Sequence, residues 1–412
     1  MTSTLYSRRD FLKGSLALAA AATTIPSFLA QTVLAATADI PSGDRVLVII
    51  QLSGGNDGLN TIIPYQNDHY YRARPTLAIG KTDALSVNDE VAFHPAMAGM
   101  TELLKEGKLA VIQGVGYPNP DRSHFRSMEI WHSAMTDDYA YSGWIGRLFD
   151  HSCSNSHLTS SPTLAASIDD TLNPALLNTS GIGVALRDPE KFYKLTKFAG
   201  NKESPAPIQT TESTDTPLDF LRRTALNAQS AAADIRNRVR TVRNQVDYPR
   251  SGLARDLGLI ARMIAGGMNT RVYYAALGGF DTHAQQLDNH ANLLGQLSEA
   301  ISAFQLDCEK LGIADRVLGF TFSEFGRRVA ENGSRGTDHG QAAPSFLFGS
   351  QVKGGVYNDH PDLSPGKLSK GDITYNTDFR QLYATMLDQW LLVPHQPVLK
   401  ARYTTLPLLQ TS

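Results

Sequence analysis

Residue types that bind metal ions and anions are concentrated in the last third of the sequence. Glu324 is followed three residues later by Arg327, and Asp338 directly precedes His339. The apolar run Val317–Phe322 leads into Glu324 and predicts a buried strand. Ligands bind at the carboxyl ends of strands in open α/β sheets, and Asp and His are ligands of Zn, Mn or Mg. This pattern predicts either a ligand site or an ordinary polar loop.

The first strand-like run of the chain ends in a glycine-rich turn. Val46–Leu52 is apolar and rich in β-branched residues, as a central parallel strand would be. Three of the next six residues are glycines, which let the backbone turn sharply and approach a ligand, and Asp57 lies among them. Neither a dinucleotide fingerprint nor a Gly-Lys-Ser/Thr loop is present. Asp57 is therefore either a turn residue or a metal ligand.

The second run, Lys108–Val115, is followed by a turn-rich loop and then by helical periodicity that begins at Ser123. The pattern places Phe125 on the apolar face of this helix, and Ser123 is a preferred N-cap residue. A helix N-terminus also attracts anions, so Ser123 is a candidate nucleophile toward a bound phosphoryl group. His124 and Arg126 are candidates to hold the charge of that anion; for His124 a core or surface role is the alternative.

The third run, Thr270–Leu277, ends in two glycines followed by Asp281 and His283. Side chains two positions apart point the same way in an extended backbone, so both could bind one ion. Alternatively, Asp281 caps the long helix predicted over Leu287–Leu311. Asp378 is predicted to be a helix N-cap rather than a catalytic residue.

The N-terminal residues 1–35 are predicted to be a twin-arginine signal peptide. Arg8-Arg9 precedes an Ala-rich apolar run that is weak for a permanent span. The pattern predicts export of the folded chain by the twin-arginine machinery to the periplasm or the exterior, with no permanent membrane span after cleavage. The remaining residues, 36–412, are predicted to form a single α/β domain with a mostly parallel central sheet and helices on both faces. A helical and loop insertion is expected around residues 150–268, including a long polar loop over 201–216.

The overall charge and the cysteine content exclude several classes of protein. A net charge of −2 argues against nucleic-acid binding. Two cysteines, Cys153 and Cys308, are too few for a disulfide framework, and the sequence leaves open whether they pair.

Five pieces of the sequence, taken together, resemble the exported domain-of-unknown-function family 1501. They are residues 51–60, 122–125, 279–283, 323–327 and 336–340. The resemblance extends over about residues 45–395. That family is similar in layout to the alkaline phosphatase and sulfatase superfamily, which implies an alkaline-phosphatase-like fold.

The resemblance also implies a set of ligands for divalent ions (Zn, Mn, Mg or Ca). Asp57, Asp338 and His339 would share one ion with Ser123. Asp281 and His283 would hold a second ion, with His360 as a further candidate. Glu324 has no certain counterpart, so it either binds metal or orients an arginine. The Asp281-x-His283 spacing is shorter than the superfamily's, which leaves open whether the site holds one ion, two or none.

The function that the resemblance implies is metal-dependent hydrolysis of a small anionic ester, a phosphate or a sulfate. Ser123 would attack, Arg126 and Arg327 would neutralise the oxygens of the anion, and Glu324 would assist. The alternative is a non-catalytic periplasmic binding or assembly protein with a degenerate site. Ser123-His124-Phe125-Arg126 lacks the proline of the formylglycine sulfatase pattern, and no Gly-x-Ser-x-Gly elbow of a serine hydrolase occurs.

Overall fold

The computed structural model describes residues 45–155, 162–179, 182–200 and 217–410. The predicted signal peptide and the predicted loop over 201–216 lie outside the described residues. The strands are β1 Val46–Ser53, β2 Ile62–Ile63, β3 Leu85–Ser86, β4 Ala92–Phe93, β5 Leu109–Gly116, β6 Ala165–Ser167, β7 Val184–Ala185, β8 Val272–Gly278, β9 Val317–Phe322, β10 Ala343–Phe348, β11 Gly355–Tyr357 and β12 Thr377–Asp378.

Most of the α-helices lie between the strands in sequence. They are α1 Gly58–Thr61, α2 Asp68–Ala73, α3 Ala98–Lys105, α4 His124–Ser133, α5 Trp144–Asn155, α6 Pro189–Gly200, α7 Pro217–Thr241, α8 Gly252–Ala265, α9 Gln286–Lys310, α10 Phe379–Thr385 and α11 His395–Leu399. A π-helix, Met386–Leu391, continues α10. Short 3-10 turns cover Pro95–Met97, Pro162–Leu164, Pro174–Leu176, Ala314–Arg316 and Pro365–Lys367.

The central sheet has nine strands in the described part of the chain, in the order β11-β5-β10-β9-β1-β8-β6-β7, with β12 paired to β5. β1 lies between β8 and β9 and is parallel to both. β10 runs antiparallel to its two neighbours, β5 and β9, and the other strand pairs in the described part of this sheet are parallel. The predicted mostly parallel α/β sheet is confirmed.

Alternate residues of β1 enter two different hydrophobic cores. Val48 and Ile50 pack into a core that includes Leu257 of α8 and Phe304 of α9. Leu47 and Ile49 pack on the opposite face in a core that includes three tryptophans, Trp131, Trp144 and Trp390. A strand covered on both sides needs apolar residues at every position, which is why β1 reads as a continuous apolar run.

The segment around residues 150–268 is more than the predicted helical and loop insertion. It supplies α6, α7 and α8, but also β6 and β7, which extend the central sheet beyond β8. Three-residue and two-residue strands are too short to give a periodic signal in sequence.

Two further findings concern the cysteines and the membrane. Cys308 on α9 is buried and free of any disulfide. Within the described ranges, no helix combines the length and the apolar character that crossing a membrane would require.

Candidate metal centre

Three histidines surround one carboxylate at the carboxyl edge of the central sheet. Because β5, β8 and β9 run in the same direction, the residues after their ends meet at that edge. Nε2 of His339 and Nε2 of His283 each lie 3.1 Å from Oδ1 of Asp281. Nε2 of His124 lies 3.5 Å from Oδ2 of the same carboxylate. We refer to His124, Asp281, His283 and His339 as the histidine cluster.

The other ring nitrogen of each histidine faces an oxygen atom. Nδ1 of His124 lies 2.9 Å from Oε1 of buried Glu324, and Nδ1 of His339 lies 2.9 Å from the backbone carbonyl of Arg122. Carboxylate and carbonyl oxygens only accept hydrogen bonds, so these Nδ1 atoms carry the proton. Nε2 is then the nitrogen through which each ring either binds an ion beside Asp281 or donates a proton to that carboxylate.

His283 completes the cluster from the same loop as Asp281. Its Nδ1 lies 3.5 Å from Oδ1 of Asp338, and its Nε2 lies 2.9 Å from Nε2 of His339. Two unprotonated ring nitrogens at this distance repel each other. Either a proton on one of them, donated to the other, or a cation bound by both removes that repulsion.

Glycines allow these loops to approach so closely. Gly54 has φ of 122°, and a Cβ there would lie 2.3 Å from the backbone nitrogen of Asp281. A Cβ at Gly55 would lie 2.4 Å from the ring of Phe325. That ring packs against His124 and His339, with centroid distances of 4.9 and 4.6 Å. Glycine is thus required at both positions, because any side chain there would collide with Asp281 of the cluster or with Phe325, which packs on its histidines.

Arg327 is a structural residue, contrary to the prediction that it neutralises a substrate. Its side chain is fully buried. Its guanidinium donates to the carbonyls of Gly54, Gly55, Phe280 and Thr337. It also donates to Oδ1 of Asp281 at 2.7 Å. All the donor nitrogens are occupied, so Arg327 joins three loops and orients Asp281.

Arg126 also differs from its predicted role, because it is engaged by groups outside the histidine cluster. It forms an ion pair with Glu129 at 2.8 Å and donates to the carbonyl of Thr136. Its guanidinium lies 4.4 Å from the ring centroid of Tyr139. These partners occupy the group that was expected to hold the anion.

Asp57 was predicted to bind an ion with Asp338 and His339, and the structure gives it different partners. Arg74, which is fully buried, donates to both of its oxygens, at 2.6 and 2.9 Å. Gln286 and the backbone nitrogen of Leu59 donate to it as well. The donors already surrounding the carboxylate leave no room for an ion. Sequence gave no signal for this pairing, since Arg74 is 17 residues away in a loop.

The remaining predicted residues take separate positions. Asp338 is about half exposed and supports His283 from outside the cluster. His360 is hydrogen-bonded to the carbonyl of Pro361, away from the described cluster. Ser123 is the N-cap of α4, and its exposed side chain makes no capping hydrogen bond. In the chain it lies between Arg122, whose carbonyl contacts His339, and His124 of the cluster.

The ionisation of the cluster follows from these contacts. Burial alone would raise the pKa of Asp281, but Arg327, His339 and His283 lower that pKa to about 2. The hydrogen bond that His124 donates to Glu324 raises the pKa of His124, against the opposing effect of burial. Asp281 is therefore an anion at neutral pH, surrounded by nitrogen ligands.

The comparison with known families decides what kind of chain this is. A family model described as "Protein of unknown function (DUF1501)" matches residues 186–406, more than half of the chain. The chain belongs to this family. A twin-arginine translocation signal model matches residues 6–24, so this DUF1501 protein is exported, to the periplasm or the exterior. The search of curated proteins returned no match.

Eight solved structures similar to this DUF1501 protein share 7 to 12% of residues with it. One is described as the lipoteichoic acid synthase LtaP from Listeria monocytogenes, with 7% identity over 85% of this chain and 80% of that chain, at a TM-score of 0.35. Another is a protein in the alkaline phosphatase superfamily from Vibrio parahaemolyticus, with 8% identity, coverages of 82% and 71%, and a TM-score of 0.36. A third is the PsFucS1 sulfatase from Pseudoalteromonas sp., with 9% identity, coverages of 77% and 65%, and a TM-score of 0.35. The matches include the superfamily that the sequence resembles, and at these TM-scores they carry no argument about activity.

Two features of the site were missed by the sequence analysis of this DUF1501 protein. His124 was predicted to hold an anion, whereas its Nε2 joins the histidine cluster. Glu324 orients this histidine and accepts a hydrogen bond from the backbone of Gly54. A histidine placed directly after a helix N-cap at a strand end was the available signal for the first feature. No local signal pairs Glu324 with a residue 200 positions earlier.

Proposed function

We propose that this protein is an exported, metal-dependent hydrolase of phosphate or sulfate esters. His124, Asp281, His283 and His339 would hold the ion. The observation that carries this proposal is the approach of the His283 and His339 Nε2 atoms to 2.9 Å beside an ionised carboxylate.

The donor set fits a divalent transition metal ion. Zn²⁺ in a tetrahedral site takes His nitrogens at ~2.0–2.1 Å, which places the ligand atoms roughly 3.3 Å apart, close to the 3.1 to 3.5 Å between Asp281 and each imidazole. Ligand atoms of His124, Asp281 and His339 all lie within 4.8 Å of one another. Metal-binding histidines also donate their second N–H to a carboxylate or a carbonyl, as His124 and His339 do. Ca²⁺ and Mg²⁺ prefer oxygen ligands, so this nitrogen-rich set favours Zn²⁺. When bound, such an ion supplies Lewis-acid stabilisation of negative charge.

Ser123 is the nucleophile in this proposal. Its hydroxyl is exposed and makes no capping bond, and its neighbour His124 belongs to the histidine cluster. Its oxygen would form a bond to phosphorus or sulfur as the ester bond breaks, with the hydroxyl proton passing to water and the alcohol leaving after protonation. Water would then hydrolyse the covalent intermediate and restore the serine. The free N–H groups in the first turn of α4 would stabilise the anionic oxygens, a role that Arg126 and Arg327 do not fill.

A second candidate function is that of a non-catalytic binding or assembly protein. The observation that favours it is the loss of expected catalytic groups to structural contacts. Asp57 is bound by Arg74, and Arg327 donates to backbone carbonyls and Asp281. A site of this kind would still bind the ion but would turn over no ester.

Metal analysis and one pair of variants test the proposal. The purified exported protein is expected to contain Zn²⁺ at close to one ion per chain and to hydrolyse aryl phosphates or aryl sulfates. Ser123→Ala is expected to abolish this turnover while keeping the ion. It should cost only a few tenths of a kcal/mol in stability, because its hydroxyl caps nothing.

Ser251→Ala is the matched control for that variant. Ser251 caps α8 by accepting a hydrogen bond from the backbone nitrogen of Ala254. Its loss should cost about 0.5–2 kcal/mol of unfolding free energy and leave turnover unchanged. Full activity in Ser123→Ala would reject the nucleophile, and bound zinc without turnover on any ester would favour the binding protein.

A further inference from the structure

An apolar cavity of about 360 Å³ opens beside the histidine cluster. It lies between α4, the residues just before α5 and the 3-10 turn Pro174–Leu176. Its apolar lining includes Phe125, Met128, Tyr141, Pro174 and Leu177. Its volume falls in the range of small-molecule pockets, which are about 300–1,000 Å³ and mostly apolar.

His124 connects this cavity to the histidine cluster. It is one of the residues that line the cavity, and its Nε2 lies 3.5 Å from Asp281. A ligand whose anionic group lies at the cluster would therefore have the cavity next to it. Ser123, the N-cap of the same helix, directly precedes His124 in the chain.

Large apolar side chains remain in solvent at the rim of the cavity. Phe125 was predicted on the apolar face of α4, yet its side chain is 90% exposed, and Tyr141 is fully exposed. The prediction for Phe125 was wrong because α4 packs on the sheet through Ile130 and Trp131, which leaves Phe125 at the rim. Exposed aromatic residues grouped at a cavity mark a binding surface for apolar ligands.

Glu129 and His132, which line the cavity, are already engaged, so neither offers a free charge to an occupant. Glu129 is paired with Arg126 at 2.8 Å. Nε2 of His132 lies 3.1 Å from Oε1 of Gln51 and 3.1 Å from the hydroxyl of Tyr274. Burial lowers the pKa of the His132 ring to about 4, so the ring is neutral at pH 7. An uncharged apolar group fits this lining, whereas a sugar or a charged group would lose its water without new partners.

We propose that this cavity binds the alkyl or aryl group of the ester whose anionic end lies at the histidine cluster. The inference rests on the proposed function, and it names the substrate class as amphiphilic monoesters with an extended apolar group. Substrates with small or hydrophilic alcohols would lack the contribution of the cavity.

Binding of two phosphonates to the zinc-loaded protein tests this inference without requiring turnover. Octylphosphonate and methylphosphonate carry the same anionic group, resist hydrolysis and differ in the alkyl chain. Calorimetric titration is expected to show octylphosphonate binding at least tenfold more tightly, since one methylene in an apolar pocket contributes ~10-fold or more. Equal affinities, or no binding of either compound, would overturn the inference.

Variants of the lining locate the effect. Phe125→Ala and Leu177→Ala should each weaken octylphosphonate binding about three- to tenfold, because each removes apolar contact area, and should change methylphosphonate binding less than twofold. Leu306→Ala removes a leucine that is 46% exposed on α9, outside the cavity, and should change neither. Equal losses for both phosphonates in the cavity variants would contradict the inference. If the proposed function is wrong, no ester is turned over, but the affinities of the two phosphonates can still be measured and compared.

Discussion

Two polar clusters at the same edge of the sheet, around Asp57 and around Asp281, differ in burial and in the side chains that surround the carboxylate. Around Asp57 every contact is buried, and Arg74, Gln286 and a backbone N–H donate to the carboxylate. Around Asp281, His124, His283 and His339 are a fifth to nearly a half exposed, and each turns its Nε2 toward the carboxylate. The first arrangement is saturated with fixed donors and stabilises the fold. The second is partly open to solvent and gathers imidazole nitrogens that can bind a cation.

The comparison shows how to separate a structural carboxylate from a functional one. Both aspartates follow a strand end and a pair of glycines. Each accepts a hydrogen bond from a buried arginine, but Asp57 is itself buried among fixed donors, whereas Asp281 is about half exposed among imidazoles. A buried ion pair is costly to disrupt, whereas an imidazole can exchange its Nε2 proton for a metal ion.

The largest effect is expected from breaking the buried pair. Arg74→Met leaves Asp57 buried without its cation, which typically costs about 3–5 kcal/mol of unfolding free energy. Urea denaturation measures this change. The variant should still bind its ion, because Arg74 does not contact the histidine cluster; loss of the ion from a stable variant would place Asp57 back in the metal site.

Lys105→Met is the matched control for the loss of a positive charge. Lys105 pairs with Glu102 on the surface of α3, and both side chains are more than 60% exposed. Exposed pairs contribute about 0–1 kcal/mol, so this variant should unfold close to the wild type.

Removing one imidazole of the histidine cluster should affect the ion rather than the fold. Loss of a residue that hydrogen-bonds to a metal ligand typically lowers metal affinity by roughly 10- to 100-fold. His339→Ala removes a ligand itself, so we expect zinc affinity to fall by more than that. Competition with a chelator of known affinity measures this change. His69→Ala, on α2 and outside the cluster, should leave zinc affinity as it is.

The residues behind the histidines give a smaller and graded effect. Glu324→Gln keeps the shape of a buried side chain that orients His124 but removes its charge, so zinc affinity should fall toward the low end of about 10- to 100-fold. Asp338→Asn, at 3.5 Å from His283 and about half exposed, should have a weaker effect. An equal effect of the two variants would show that burial does not set the strength of this support.

The smallest effect concerns pH. Burial alone would raise the pKa of Asp57, but Arg74 and the surrounding donors hold it below its ordinary value of 3.8. A carboxyl with a lowered pKa in the folded state stabilises the protein above its unfolded pKa, and this stabilisation is lost as the pH falls through the folded value. Unfolding free energy measured below pH 4 should therefore decline less steeply in Asp57→Asn than in the wild type. Identical slopes would contradict this assignment.

Much of the framework could be predicted from the sequence because its signals are local. β1, β5, β8 and β9 were each predicted to within two residues at either end, since buried parallel strands read as short apolar runs. Asp378 was predicted as an N-cap and is one, with a complete capping box. The twin-arginine signal could also be predicted, because it is a contiguous sequence pattern.

The partners of the polar side chains could not be predicted in the same way. Asp57 meets Arg74, Glu324 meets His124, and Arg327 meets the carbonyls of four distant residues. Each pairing depends on loop paths that no periodicity encodes. The antiparallel direction of β10 and the short strands β6 and β7 were also invisible, since pairing direction is set by the connections between strands.

The sequence by itself determined which residues would gather at the carboxyl edge of a parallel sheet, since strand order along the chain and residue type are enough for that. Only the tertiary structure decided their roles. Ionisable side chains take their function from the groups within about 4 Å, where a neighbouring cation or lone pair shifts the charge balance most strongly. Asp57 is enclosed by Arg74 and other donors and is part of the core. Asp281, which Arg327 also contacts, lies among three partly exposed imidazoles at the centre of the candidate metal site.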